Sequence, residues 1–371
     1  GQLTRKVLEP SGLWAKLEER RKDGTAQLST AVTVTNVAST VAIGEGYVGV
    51  VWDAIAAQYP DLEAVHAPEF KGVTEVMSVG VLVGSKQPTP ALQFARYLTA
   101  RDKGLEAMQR HHFTPPADAD FWADEPKIHL AAGAMLMPAV EDVIKKFQQR
   151  EGVEITTSYA GCGLLVSQMK SIKGGQKPGE FPDAYFACDT PFLDDVQQWF
   201  DPGVRISQND VVFIVPKGNP KNIKPSLTEL TRTDLRIGLA HRTKSALGKL
   251  TATLLKRAGL YEQVYGEGWQ EHIVEADAAH DLVNKMLVVK DGGALDLTVV
   301  YKSNAQSTPA NRDRLQILEL KEVKGAHAVQ PFAIASESRH KYLLKRLQQA
   351  IVANTSAEHF RDLGFRWIYK K

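Results

Sequence analysis

Apolar positions in this chain recur with two periods, and the two alternate in a fixed order. Lys127–Ala132 reads as a short apolar strand that runs into Gly133-Ala134. Pro138–Arg150 then sets Val140, Val143, Ile144 and Phe147 on one helical face. Val153–Tyr159 is β-rich and ends at Ala160-Gly161-Cys162-Gly163, ahead of a helix over Leu164–Lys173. A strand at Asp183–Ala187 leads through Cys188-Asp189-Thr190 to a helix over Phe192–Phe200. Val211–Val215 is the continuous apolar run of a buried strand, closed by the turn Pro216-Lys217-Gly218-Asn219-Pro220. Strand Leu235–Leu239, loop Ala240–Leu247 and helix Gly248–Ala258 follow, then a strand at Ile273–Val274, a helix around Ala279–Val288 and a strand at Asp296–Tyr301. This strand–loop–helix alternation predicts an α/β protein with parallel sheets and helices on both faces.

The pattern also repeats over a long interval. Residues 1–13, GQLTRKVLEPSGL, match residues 248–260, GKLTATLLKRAGL, at Gly1/Gly248, Leu3/Leu250, Thr4/Thr251, Leu8/Leu255, Gly12/Gly259 and Leu13/Leu260. Val50-Val51-Trp52 falls on Val299-Val300-Tyr301, where a strand is expected. His112-Phe113 falls on Gly364-Phe365, each after an amphipathic helix, over Ala91–Gln109 and Arg339–Asp362. Residues 1–116 thus read as the C-terminal half of a first copy, 117–127 as a turn-rich linker, and 128–371 as a complete copy. On this reading the chain begins inside a domain, and a full cleft within one chain is restricted to 128–371.

Composition changes this picture little. Of 371 residues 43% are hydrophobic and 24% charged, and 45 basic against 43 acidic residues leave a net charge of +2. That excludes a disordered chain and gives no argument for nucleic acid. No apolar run is long enough to span a bilayer. The start, Gly-Gln-Leu-Thr-Arg-Lys, has no signal-peptide pattern, which suits a processed exported protein as well as a cytosolic one.

Three strand-to-helix junctions are short, uncharged and built of small residues: Ala132-Gly133-Ala134, Gly161-Cys162-Gly163 and Ser245-Ala246-Leu247-Gly248. Small residues let a ligand approach backbone amides, and helix starts supply unpaired donors and a positive dipole end. Several converging starts would hold an anion without an arginine.

From Lys127 to Lys371 the chain resembles the periplasmic molybdate-binding proteins of ABC importers. The segments that carry the resemblance are LAAGAMLMPAVEDVIKKF (130–147), VEITTSYAGCGLLVSQM (153–169), PDAYFACDTPFLD (182–194), NDVVFIVPKGNPKNIKPSLTEL (209–230), IGLAHRTKSALGKLTATLLKRAGLYEQV (237–264) and DLTVVYKSNA (296–305). The resemblance implies the type II periplasmic-binding-protein fold, two α/β lobes joined by two crossing strands, with an oxyanion held between them. Val211–Val215 would be the first crossing and the segment around Val329–Ile334 the return. Lobe one would comprise about 128–212 and 330–371, and lobe two about 213–329.

The family's ligand contacts carry over to Gly133, Ala134 and Met135 at the first junction, Cys162 and Gly163 at the second, Ala246 and Leu247 at the third, Ala279, and the hydroxyl of Tyr301. Both serines of the family pattern are missing, replaced by Gly-Ala-Met and by Cys162. The expected protein is a binding protein outside the cytoplasm, not an enzyme. It would have no cofactor, a bound oxyanion as ligand, and a membrane subunit of an ABC transporter as partner.

Cys162 and Cys188 both follow strands whose ends should face the cleft, and three readings compete. They form a disulfide, they are two buried thiols, or they join Met135 or Met137 and His241 in a soft-metal site. Cys162 at a helix start with His241 as base would also make a nucleophile, but no residue in the sequence orients that histidine.

Overall fold

The computed structural model describes residues 1–28, 31–176, 178–266, 271–277, 279–288, 295–306, 308–321 and 323–370. It divides into two compact units, Gly1–Trp122 and Ala123–Lys371.

The first unit is helical: α1 (Gln2–Leu8), α2 (Leu13–Lys22), α3 (Val34–Ile43), α4 (Asp53–Ala56), α5 (Pro88–Leu98) and α6 (Gly104–Arg110). The single helix expected over Ala91–Gln109 is two, because α5 stops at Leu98 and the chain turns back. Gly104 permits that turn, since a Cβ there would collide with the Leu98 carbonyl. The expected strand at Val50–Trp52 is not formed: no residue of this unit is in a strand among those described. Half of the expected linker also belongs here. Trp122 packs edge-to-face on Tyr97 at 5.2 Å, and the Arg101 amide donates to the Asp120 carbonyl at 2.8 Å.

The second unit follows the predicted alternation. Its elements are β1 (Lys127–Gly133), α7 (Met137–Glu151), β2 (Glu154–Ala160), α8 (Cys162–Lys173), β3 (Ala184–Phe186), α9 (Thr190–Asp194), β4 (Val204–Pro216), β5 (Ile237–Ala240), α10 (Ala246–Arg257), α11 (Tyr261–Tyr265), β6 (Ile273–Ala276), α12 (Ala279–Leu287), β7 (Leu297–Tyr301), α13 (Lys302–Gln306), α14 (Pro309–Arg314), β8 (Leu315–Glu319), β9 (His327–Ile334), α15 (Lys341–Ile351), α16 (Asn354–Asp362) and β10 (Arg366–Trp367). The strands run in the order β2-β1-β3-β9-β4-β7-β5-β6, with β8 and β10 paired to β4. Parallel pairs β1–β2, β1–β3, β5–β6 and β5–β7 flank an antiparallel centre.

That centre makes the two lobes. The first half of β4, Val204–Asp210, pairs with β9, and the second half, Val211–Ile214, pairs with β7. One extended strand is thereby shared between two sheets. The crossing starts seven residues before the apolar run predicted it. Arg205, Ser207 and Asn209 break the hydrophobic pattern, yet they alternate with Ile206 in strand register. Each lobe has its own core. In lobe one, Phe186 and Phe332 pack on Phe360 on one sheet face, and Tyr185, Cys162 and Phe192 pack on the other. In lobe two, Phe213, Leu239, Leu255 and Val300 are buried together. The helix expected over Phe192–Phe200 is instead α9 and a 3-10 turn at Gln197–Trp199, with Val196 buried between them.

The crossing strands carry fully buried polar groups, each with a partner. Ser207 Oγ donates to Gln330 Oε1 at 2.8 Å, and Gln330 Nε2 donates to the carbonyls of Cys188 (3.1 Å) and Ala328 (3.0 Å). Asn209 Nδ2 donates to Ser303 Oγ at 2.7 Å, and the Ser303 amide donates back to Asn209 Oδ1 at 3.3 Å. Buried polar groups are costly only when orphaned. Gln330→Leu, which strips partners from the Ser207 hydroxyl and two carbonyls, should therefore lower unfolding stability by at least about 2 kcal/mol. Urea unfolding would show it as a lower midpoint at unchanged slope.

Candidate functional site

The three small-residue junctions lie at the ends of β1, β2 and β5, where parallel strands deliver the chain to helix starts. Side chains cap some helix starts of this chain and leave others, such as those of α5 and α15, uncapped. Thr33 caps α3, Asp189 caps α9 and Thr308 caps α14. The N-cap residues at the junctions, Gly133, Gly161 and Ser245, make no such bond. The Leu164 amide of α8 donates to the Gly161 carbonyl at 2.9 Å, and no side chain caps the amides before it.

The junctions meet. A Cβ on Gly163 would lie 3.0 Å from the Lys244 carbonyl and 3.4 Å from that of Thr243. The start of α8 in lobe one thus lies against the loop before α10 in lobe two. Ala246 completes the contact by packing in one cluster with Cys162. Gly133 reaches the same place, since its Cβ would lie 2.9 Å from Cys188 Cβ and 3.1 Å from each sulfur. Met135 touches the cores of both lobes. Leu247 is a core residue of lobe two, and Ala279 starts α12 against that same core.

Cys162 and Cys188 form a disulfide, their Cα atoms 6.3 Å apart. Of the three readings of the pair, this one holds and the two with free thiols do not. The soft-metal set of Cys162, Cys188, Met135 and His241 is not assembled, because both sulfurs are spent in the bond. His241 is also engaged: its Nδ1 accepts from the amides of Thr243 and Lys244, each at 3.3 Å. No group of three or more His, Cys, Asp or Glu side chains placed to hold a metal ion occurs among the described residues. Met137, the other thioether considered, is half-exposed at the start of α7. The bond also removes Cys162 as a nucleophile.

Tyr301, the last residue of β7, is 2% exposed and its hydroxyl has no hydrogen-bond partner. Burial, reinforced by the charge of Asp189, holds its pKa well above the ordinary tyrosine value. The hydroxyl is therefore a neutral donor at physiological pH. Asp189 was not anticipated from the sequence. It follows Cys188, caps α9 through the Thr190 amide (2.8 Å), and accepts from the Val329 amide on the returning strand (3.0 Å). The signal available was its place directly before Thr190-Pro191, an N-cap position with proline in the first turn.

The family model for bacterial extracellular solute-binding proteins matches residues 1–114 and 128–366. This chain belongs to that family. A protein of Haemophilus influenzae named as a binding protein is 25% identical over 193 residues, 52% of this chain and 71% of its own length. Among solved structures, the sulfate-binding protein SubI of Mycobacterium tuberculosis H37Rv superposes with a TM-score of 0.50 at 19% identity. That match covers 66% of this chain and 88% of SubI. The periplasmic molybdate-binding protein of Azotobacter vinelandii has a TM-score of 0.49 at 15% identity, covering 66% of this chain and all of that one. The fold of this solute-binding protein is thus the periplasmic-binding-protein fold, and its relatives are binding proteins rather than enzymes.

Two outcomes follow for this solute-binding protein. The disulfide closes a loop of 26 residues, which in the chain-entropy account is worth about 3 kcal/mol. Replacing Cys162 and Cys188 together by serine should lower unfolding stability by about that amount, read by urea titration. Asp189 gives a pH effect. Burial raises its carboxyl above the usual range, outweighing the amide bonds from Val329 and Thr190 that lower it. The folded state then holds the proton more tightly than the unfolded state. Stability should fall as pH rises from the ordinary aspartate value through the raised one, and stay level on either side. Asp189→Asn keeps an acceptor for both amides and should abolish that slope.

Proposed function

We propose that this protein is the extracytoplasmic solute receptor of an ABC-type importer, binding a small oxyanion of the molybdate or sulfate kind between its two lobes. The observation that carries the reading is the Tyr301 hydroxyl, buried and unpartnered at the end of β7, and with it stands the start of α8 against the loop before α10. An anion there would accept the hydroxyl and first-turn amides while the lobes close over it. The sulfate-binding and molybdate-binding proteins named above lend the ligand class. No helix among the described residues is long and apolar enough to cross a membrane, so the importer's membrane subunit would be a separate partner. The family match on both sides of residues 115–127 supports reading the chain as a tandem of the same module.

The ligand set departs from a serine-lined site. Cys162 is bonded to Cys188 and offers no proton, so Gly133, Ala134, Cys162, Gly163, Ala246 and Leu247 would contribute through backbone amides. Calorimetry against molybdate, tungstate, sulfate and phosphate tests the proposal, and no heat with any of the four would overturn it. Tyr301→Phe should weaken the binding by about tenfold or more, the worth of one hydrogen bond to a charged acceptor. The same change removes an orphaned hydroxyl, so the unliganded protein should be no less stable.

A second reading is favoured by Met135, whose side chain packs on the cores of both lobes. A cleft filled by its own methionine would suit a sensor or structural module that needs no ligand.

A further inference from the structure

Two stretches of the first unit outside its helices, Val48–Trp52 and Val73–Val83, expose apolar faces. Val48 is 95% exposed and Leu82 82%, with Val76, Met77 and Val83 also open. Apolar patches of this kind on extended backbone mark docking surfaces or aggregation sites.

Positions 248–371 show what belongs on that face, because the first unit matches their local backbone at several positions. Gly12 and Gly259 have φ of 72° and 70°, Gly72 and Gly325 of 79° and 78°, and His112 and Gly364 of 65° and 89°. Ser85 Oγ accepts from the Gln87 amide at 3.2 Å, and Ser338 Oγ accepts from the His340 amide at 3.2 Å. The Phe113 amide donates to the Met108 carbonyl, and the Phe365 amide to that of Phe360. In this register Val48–Trp52 matches β7, and Thr74–Val81 matches β9.

The matched strands are covered on both sides in the second unit. β7 lies between β4 and β5, and β9 lies between β3 and β4. Leu297, the counterpart of Val48, is 0% exposed, and Phe332, the counterpart of the 45%-exposed Val79, is also 0% exposed. All three covering strands fall within residues 184–240. Local structure has formed in the first unit, and neither stretch pairs with a strand among the described residues.

We infer that this face is a docking surface for a polypeptide half-domain with the chemistry of residues 123–247. Its central strand, of the β4 kind, would pair with both orphan stretches and bury them. This inference rests on unpaired, exposed stretches in the first unit and does not depend on what the cleft of the second unit binds.

Hydrogen exchange on the intact 371-residue chain provides the test. Amides of 48–52 and 74–81 should exchange freely, while those of 297–301 and 327–334 are protected. In a second protein, residues 123–247 are duplicated ahead of Gly1. Its 48–52 and 74–81 amides should slow by a hundredfold or more. A synthetic peptide of residues 204–216, added to the 371-residue chain, should give partial protection of the same amides. Three results would overturn the inference. One is protection of both stretches already in the monomeric 371-residue chain. Another is protection that rises with its concentration, which would make a second copy the occupant. The third is no added protection from either the duplicated segment or the peptide.

Discussion

β4 cannot belong to one lobe. Its thirteen residues pair with β9 and β10 over the first half and with β7 and β8 over the second, so the same backbone is a central strand in two sheets. Every backbone donor and acceptor of a central strand must be met by a neighbour, because water cannot reach it. That requirement draws in strands from both ends of the unit and places two cores on either side of one crossing. The buried set of Ser207, Gln330, Asn209 and Ser303 sits on this crossing, and its bonds are satisfied only when β4, β9 and the turn after β7 are in register. Buried polar groups of this sort specify one arrangement more than they stabilise it.

The site is a consequence of that geometry. Parallel strands β1, β2 and β5 end at small-residue junctions, and the start of α8 in one lobe lies against the loop before α10 in the other. Gly163 against the Lys244 carbonyl, and Gly133 against the Cys162–Cys188 bond, show how closely the junctions approach. A side chain at either glycine would hold them apart. Asp189 links α9 to the return strand, because one carboxylate oxygen caps α9 and also takes the amide of Val329.

Much of this could be read along the chain. The alternation that defines β1 to β7 and their helices is local, and so is the small-residue character of the junctions. The position of Tyr301 was legible through the family resemblance. Other features were not. Val204–Asp210 shows no apolar run, because two of its three buried side chains are Ser207 and Asn209, and their partners lie 123 and 94 residues away. Cys162 and Cys188 are 26 residues apart, a spacing that neither requires nor excludes a bond. Asp189 carried only the local signal of a helix cap, and nothing local linked it to Val329 or Tyr301.

The sequence by itself determined the class of fold, the order of its elements and the small residues at their junctions. These depend on hydrophobic period, turn residues and helix starts, which act over a few positions. Tertiary structure alone decided which segments became strands, which cysteine reading held and which polar groups were buried. The first unit makes the contrast plain, since Val48–Trp52 and Leu297–Tyr301 share a pattern but only the second is a strand. A helix closes its hydrogen bonds within itself, whereas a strand is defined by a neighbour that its own sequence does not contain.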